Sequence, residues 1–205
     1  MNDHLLVQFQ NFRQLMSSVQ KDLVKTILSS PFELEWQVQG LGMLRTYLSK
    51  ERRLHVWNSA LKFPGASEMH THPWDFRSYV VAGVVRNFRF VEMEQGSVYG
   101  SYKRQTIKCG VGGGLVGEPE EVNLWMREPE EYVEGETYFE EAEEIHMSVP
   151  SDGTVTIVKR KFKEDVDHAY VFWQDGEWGT AEPREATREE ISMTLTHSLN
   201  TWFDL

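Results

Sequence analysis

The sequence predicts an all-β domain, a sandwich or a barrel, with one helix at each end. Its central part consists of short runs rich in Val, Ile, Thr and aromatic residues, separated by Gly, Pro and acidic turns. Because many short strands follow one another without helices between them, a sandwich or barrel is favoured over a parallel α/β sheet. The runs predicted as strands are 41–48, 53–61, 67–72, 77–91, 98–108, 121–126, 136–139, 144–149, 153–162 and 168–173.

Both ends of the chain carry the pattern of an amphipathic helix. Apolar residues within 4–28 recur at steps of mainly three and four, which predicts a first helix there. Near the other end, Thr187 and Glu190 have the spacing of a capping box, which predicts a second helix over about 188–200. The β region then covers about 34–175. The apolar faces of these helices need a partner, and we expect a homodimer, although the helices could instead cover the sheet of a monomer.

The composition limits the class of protein. With 205 residues, of which 40% are hydrophobic and 12% aromatic, the chain is expected to form one globular domain over 1–205. Cys109 is the only cysteine, which excludes an internal disulfide and fits a reducing compartment. No secretory leader and no membrane-spanning apolar run are recognised, so we expect a cytoplasmic protein without a membrane partner.

The charge pattern also narrows the choice of partners. A net charge of −11 argues against nucleic acid, because phosphate binding needs a basic surface. Residues 118–144 hold twelve Glu, and Arg127 is their only basic neighbour in that segment. The segment is interpreted either as a solvated surface whose like charges discourage aggregation or as a surface that attracts a cationic ligand.

A glycine-rich stretch at 110–117 contains a match to the dinucleotide-binding fingerprint. The residues after it are acidic and include Pro119, so no helix N-terminus is available to receive a pyrophosphate. The match is therefore attributed to chance, and a flexible loop at the rim is predicted instead.

The strongest local signal is the segment from Glu68 to Phe76, which contains His70 and His72. In a strand, alternate side chains share a face, so both imidazoles point the same way, with Glu68 before them. Two buried imidazoles need partners that offset their desolvation, and a metal ion satisfies both at once.

This segment resembles the first motif of the cupin superfamily, which has a glycine, a His-x-His pair, a glutamate and a closing glycine. His70 and His72 match the pair, and Gly83 stands at the closing position. Gly65 lies one residue too close to open the motif, and Phe76 occupies the glutamate position. The usual carboxylate ligand is therefore missing from its place.

The second cupin motif is matched more weakly, by His146 and Gly135. Three other residues stand where the motif has its remaining members: Glu141, Glu143 and Pro150. Residues 144–149 alternate as a half-buried strand, which puts His146 on a polar face that points either at a metal or at water. The resemblance covers about 65–162.

The resemblance implies a double-stranded β-helix, the jelly-roll barrel of the cupins, in which His70, His72 and His146 bind one divalent transition metal. Glu68 or Asp75 is a possible extra ligand. Three imidazoles leave positions open on iron, manganese or nickel, whereas zinc would complete a tetrahedron with water.

Cupins with three histidines and no glutamate look like the thiol dioxygenases, which use ferrous iron. The resemblance therefore implies an iron-dependent, dioxygenase-like oxidoreductase, with Fe(II) favoured and a small organic substrate. Arg77 stands where some of these enzymes have a cysteine, so no cysteine–tyrosine crosslink is expected. The alternatives are a cupin that binds a small ligand without turnover and a metal-dependent sugar isomerase.

Three further residues are possible contacts of the substrate. Arg77 can anchor a carboxylate with its bidentate guanidinium, or form an ion pair on the outside. Trp74 can wall the cavity or belong to the core, and His55 can lie behind the ligands or pack elsewhere. The sequence identifies no catalytic residue.

Overall fold

A computed structural model describes residues 19–63, 68–93, 100–108, 114–174 and 183–203. Helix α1 is described over 19–29, and a 3₁₀ helix follows at Pro31–Glu33. The later elements, in chain order, are β1 Trp36–Gln39, β2 Leu41–Tyr47, β3 Arg52–Lys62, β4 Met69–His70, β5 Trp74–Ala82, β6 Val84–Met93, β7 Gly100–Lys108, β8 Gly114–Met126, β9 Glu130–Val133, β10 Thr137–Glu140, β11 Ile145–Pro150, β12 Val155–Phe162, β13 His168–Trp173, β14 Arg184–Glu185 and α2 Arg188–Trp202.

The strands form two antiparallel sheets of seven strands each. Sheet A has the order β10-β5-β12-β3-β2-β1-β14, and sheet B has the order β11-β4-β13-β7-β8-β6-β9. In sheet B, β11 also pairs with β6, which closes the strands from β11 to β6 into a ring. This confirms the predicted all-β jelly-roll architecture with a helix at each end.

Both helices pack on one face of sheet A. Val24 and Leu28 of α1 and Ile191 and Leu195 of α2 form one buried cluster with residues such as Leu54 of β3. Of the first helix, Val24 and Leu28 are covered within the chain, whereas Val19 and Leu23 are 55% and 56% exposed, and residues 4–18 lie outside the described residues. In the part of the chain that the structure describes, no helix is long and apolar enough to cross a membrane.

The second helix starts at the predicted capping box. The Thr187 hydroxyl accepts a hydrogen bond from the backbone N–H of Glu190 at 3.2 Å, and the Glu190 carboxylate accepts one from the N–H of Thr187 at 2.9 Å. These reciprocal bonds satisfy N–H groups that a helix start leaves without partners. The helix continues to Trp202, two residues beyond the prediction.

Several predicted strands were wrong in their extent. The run 77–91 is two strands, because the backbone turns at Gly83 with φ of +87° as the chain passes from sheet A to sheet B. Of the predicted run 67–72, residue 67 lies outside the described residues and only Met69–His70 of the rest is strand, and β1, β9 and β14 were not predicted. Residues 114–117 of the predicted glycine-rich loop are strand; 109–113, with Cys109, lie outside the described residues.

The turn at 151–154 is a second crossing between the sheets, because β11 belongs to sheet B and β12 to sheet A. This crossing is bonded to the one at Gly83: the Thr154 hydroxyl donates to the carbonyl of Val84 at 3.1 Å and accepts from its N–H at 3.2 Å. The two crossings therefore hold each other in register.

In the described structure, six of the twelve Glu residues of the acidic segment 118–144 pair with Lys or Arg side chains. Arg89 binds the fully buried Glu140, with contacts of 2.9 and 3.0 Å, and also pairs with Glu130. Further ion pairs are Arg104–Glu120, Arg86–Glu131, Lys21–Glu134 and Arg127–Glu144. Much of the negative charge is thus neutralised within the molecule, which weakens the interpretation as a surface for a cationic ligand.

Three glycine variants test whether the crossing at Gly83 limits stability. A Cβ on Gly83 would lie 2.4 Å from the Thr154 hydroxyl, at a φ that side chains rarely adopt, so Gly83→Ala should lower the free energy of unfolding by about 2 kcal/mol or more. Gly117 also has a positive φ, but a Cβ there would meet no atom within 4 Å, so Gly117→Ala should lower the free energy of unfolding by about 1 kcal/mol. Gly114 has neither a positive φ nor a neighbour within 4 Å of an added Cβ. The free energy of unfolding of Gly114→Ala, measured in urea, should therefore lie within about 0.5 kcal/mol of the parent's. Equal losses for all three would contradict this account.

Candidate metal centre

The three predicted ligands, His70, His72 and His146, lie together where the two sheets meet. His70 in β4 is directly opposite His146 in β11 in the antiparallel register, and the centres of their rings are 4.8 Å apart. The ring of His72 is 4.7 Å from that of His70 and 5.1 Å from that of His146. One potential ligand nitrogen from each lies within 4.8 Å of the other two, so small rotations can bring all three onto one ion.

His72 is held at the crossing between the sheets. His70 belongs to sheet B, whereas Trp74 begins β5 of sheet A, so the chain changes sheets between them. Thr71 fixes this passage: its N–H donates to the Tyr170 carbonyl at 2.9 Å, and its hydroxyl accepts from the Tyr170 N–H at 2.8 Å. The carbonyl of His72 accepts a hydrogen bond from the N–H of Glu143 at 2.9 Å. These bonds replace the longer strand that the alternation predicted.

Two of the imidazoles are oriented in the same way. Nδ1 of His70 lies 3.1 Å from the carbonyl oxygen of Glu68, and Nδ1 of His146 lies 3.1 Å from that of Glu144. A carbonyl oxygen only accepts, so in each ring Nδ1 carries the proton and donates it. The lone pair then lies on Nε2, where a metal would bind, as is typical of histidine ligands with a supporting acceptor.

Burial keeps all three rings neutral. Desolvation, with the neighbouring His146, lowers the pKa of His70 to about 3, and desolvation lowers the pKa of His146 to about 4. The pKa of His72 is held well below its usual range, first by burial and then by the other two histidines. Neutral imidazole is the form that binds a metal, so no proton has to be displaced at neutral pH.

Aromatic rings surround the three histidines. Phe76, which stands at the glutamate position of the cupin motif, packs its ring edge-on against His72 at 5.4 Å and His146 at 5.5 Å. Trp74 stacks on His72 with the ring centres 5.0 Å apart and the planes 20° from parallel. An apolar ring thus occupies the place of the carboxylate, and the donor set consists of imidazoles alone.

The structure does not bring the two possible carboxylate ligands into this cluster. Asp75 points away, since its carboxylate accepts from the N–H of Ala142 at 2.9 Å and pairs with Lys163 at 3.1 Å. The side chain of Glu68 pairs with Lys62. Within the described residues, the group of side chains that could hold a metal contains the three histidines and no carboxylate.

The histidines open into a cavity of about 1090 Å³ between the sheets. Trp74 and His55, two of the predicted substrate contacts, line it. Arg77 does not: it is exposed, because it lies one position out of phase with Trp74 and Phe76 on β5. The predicted anchor for a substrate anion is therefore not at the cavity.

Sequence reasoning missed three arginines of this cavity, Arg45, Arg53 and Arg160. Each alternates along its strand with an aromatic or imidazole residue on the same face: Arg45 with Tyr47, Arg53 with His55, and Arg160 with Phe162. The signal was an arginine two positions before an aromatic or imidazole residue in a strand, but arginine is usually found at a solvent-facing position.

The donor set fits a first-row transition metal. Imidazole nitrogen suits iron, nickel, copper and zinc, and the ligand type alone does not choose among them. Three protein ligands leave at least one coordination position for a further ligand, which is the arrangement of catalytic rather than structural sites. Trp74 and Phe76 limit the access of water beside these positions.

Comparison with known proteins adds no assignment. No protein-family model matches the chain, and no curated protein is significantly similar to it. The two antiparallel sheets and the three-histidine cluster fit a cupin-like fold, so the site must be interpreted from its own chemistry.

We expect His146→Ala to weaken zinc binding at least about 100-fold, because two imidazoles supply too few protein donors. Isothermal titration of the chelator-treated protein measures this. His197→Ala is the matched control, since His197 is exposed on α2, and its affinity should equal that of the parent. An unchanged dissociation constant for His146→Ala would show that another residue completes the site.

Proposed function

We propose that this chain is a metal-binding cupin that acts as an iron-dependent, dioxygenase-like oxidoreductase on a small organic substrate. The observation that carries the proposal is the convergence of three neutral imidazoles, with no carboxylate among them, at a large cavity. Ferrous iron bound there would supply the redox chemistry with dioxygen. The resemblance of the His70 segment to the cupin motif supports the same assignment.

The protein residues would position the substrate and limit water. His70 and His146 keep Nε2 available through their Nδ1 hydrogen bonds to backbone carbonyls. Phe76 and Trp74 form an apolar wall beside the ligands, which protects reactive species from side reactions. The size of the cavity leaves room for a substrate of several carbon atoms beside this wall.

The described lining limits the groups available to an isomerase. An isomerase needs a general acid or base near the substrate carbon, most often a carboxylate or histidine. Of the two carboxylates in the described lining, Glu68 pairs with Lys62, and Asp167 lies 3.3 Å from Nδ1 of His168. His55 also lines the cavity, so oxygen uptake has to distinguish the two functions.

Oxygen uptake tests this function. Protein stripped with chelator and reloaded anaerobically with one equivalent of Fe(II) should consume dioxygen when a suitable compound from a panel of small thiols, carboxylates and phosphate monoesters is added. His70→Ala/His72→Ala should abolish iron binding and uptake together, since two of three ligands are lost. Zinc-loaded protein is the redox-inactive control.

Two outcomes would contradict the proposal. Conversion of a sugar or sugar phosphate without oxygen uptake would identify an isomerase. Saturable binding of a compound with neither conversion nor uptake in the iron-loaded protein would identify a module that only binds its ligand.

The cytoplasmic location and the homodimer remain part of the proposal. Val24 and Leu28 of α1 are covered within the chain, whereas Val19 and Leu23 are exposed, so pairing would use this exposed part of α1 or a sheet edge. Light scattering at micromolar concentration would decide, and the monomer mass would contradict the dimer.

A further inference from the structure

Three arginines line the cavity on the side of sheet A. Arg45 lies on β2, Arg53 on β3 and Arg160 on β12, neighbouring strands of sheet A. All three guanidinium carbons lie near the ring of Tyr47, at 5.8, 4.8 and 5.5 Å from its centre. The three cations therefore form one group, called the arginine trio below.

The arginine trio adjoins the histidine cluster through one indole. The guanidinium carbons of Arg53 and Arg160 lie 5.5 and 5.2 Å from the ring centre of Trp74. The same indole stacks on His72 at 5.0 Å. A small molecule in the cavity can therefore contact both groups.

The positive charge of the arginine trio is not balanced. Arg45 is 8% exposed and Arg160 is 6% exposed, yet neither these nor Arg53 forms an ion pair with a carboxylate of the described chain. Their hydrogen bonds go to neutral acceptors: Gln37 and Gln39 for Arg45, Tyr47 for Arg53, and the Lys50 carbonyl for Arg160. Burying like charges without a counterion costs free energy. Such an arrangement is expected where a bound ligand supplies the counterion.

Unused donors point to the same conclusion. Within the described residues, Nε of Arg53, Nε of Arg160 and Nε2 of His55 are buried and have no hydrogen-bond partner. All three residues line the cavity. Burial and then the charges of Arg45 and Arg160 lower the pKa of Arg53 to about 10, so it still carries its proton at neutral pH. Buried donors without partners are rare in native proteins and call for a specific explanation.

Packing against aromatic rings holds these arginines in position but does not neutralise their charge. The guanidinium carbon of Arg53 lies over the ring of Tyr47, and that of Arg160 lies over the rings of Trp74 and Phe162, and these cation–π contacts hold the groups in place. Their Nε donors, which have no hydrogen-bond partner among the described residues, stay available for an oxyanion. The trio is therefore arranged in advance for a ligand with several acceptor oxygens.

We propose that the arginine trio binds the phosphoryl group of a phosphate monoester and so holds the substrate of the neighbouring histidine cluster. A phosphoryl dianion offers three terminal oxygens and up to two charges to three guanidinium groups, whereas a single carboxylate would leave more charge uncompensated. As a substrate assignment this rests on the proposed function; the anion site itself requires no metal.

The test uses the full chain, stripped of metal by chelator, in buffer free of phosphate. Isothermal titration and thermal unfolding are followed with inorganic phosphate, glycerol 3-phosphate, succinate and acetate. The monoester should bind at least as tightly as inorganic phosphate, both more tightly than the carboxylates, and each should raise the melting temperature. Three results would overturn the proposal. They are no binding of phosphate or monoester at millimolar concentration, binding of inorganic phosphate but not of the monoester, and tighter binding of succinate than of the monoester.

Variants locate the binding. Arg53→Gln and Arg160→Gln should each weaken the affinity for glycerol 3-phosphate about 10-fold or more, whereas Arg77→Gln, on the exposed face of β5, should match the parent. Without phosphate, the Gln variants should melt no lower than the parent, because each removes one of three repelling charges. Equal affinity in all variants, or a large fall in that melting temperature, would contradict the proposal.

The histidine cluster provides the remaining control. His70→Ala/His72→Ala should bind glycerol 3-phosphate as the parent does, because its phosphoryl group is held by the arginine trio. Loss of binding in this metal-free variant would overturn the assignment to the trio. If the parent binds the monoester but no metal, the proposed function is contradicted and the anion site is supported. If it binds metal but not the monoester, the metal site is supported and the phosphoryl site is contradicted.

Discussion

The pairing of β4 with β11 is the interaction on which the site depends. β4 has only two residues, and its register sets His70 opposite His146. The chain then has to pass from sheet B to sheet A before Trp74, and His72 lies on that passage. Thr71 bonds the passage to Tyr170, so the third imidazole is fixed by the crossing of the chain and not by the strand.

Charge is separated within this fold. The acidic segment 118–144 pairs with Arg89, Arg104 and other bases. The cavity instead holds neutral imidazoles and three guanidinium groups that have no carboxylate partner among the described residues. A chain with net negative charge thus contains an internal cluster of positive charge, and the local arrangement of charge, not its sum, governs binding.

Much of the fold followed from patterns that are local in sequence. The alternation along His70 and His72 predicted a shared direction, and the capping box at Thr187 predicted the start of α2, because each depends on residues a few positions apart. The break at Gly83 and the crossing at 151–154 were missed because they depend on which sheet each strand joins. The sequence left open whether Arg77 faces the cavity or the outside for the same reason.

The arginine trio shows a further limit. Arg45, Arg53 and Arg160 lie on three different strands, more than a hundred residues apart at the extremes, and they meet because β12 pairs with β3 and β3 with β2. Nothing in the local sequence of any one strand states that its arginine faces two others. Only the topology of sheet A brings their charges together.

X-ray absorption by protein loaded with one equivalent of zinc tests the central claim most directly, because it counts the ligands of the ion. The account predicts three imidazole nitrogens at about 2.0 to 2.1 Å, with the remaining coordination supplied by water. A spectrum with fewer than three imidazoles, or with a protein carboxylate in place of one, would contradict the assignment of His70, His72 and His146 as the metal centre.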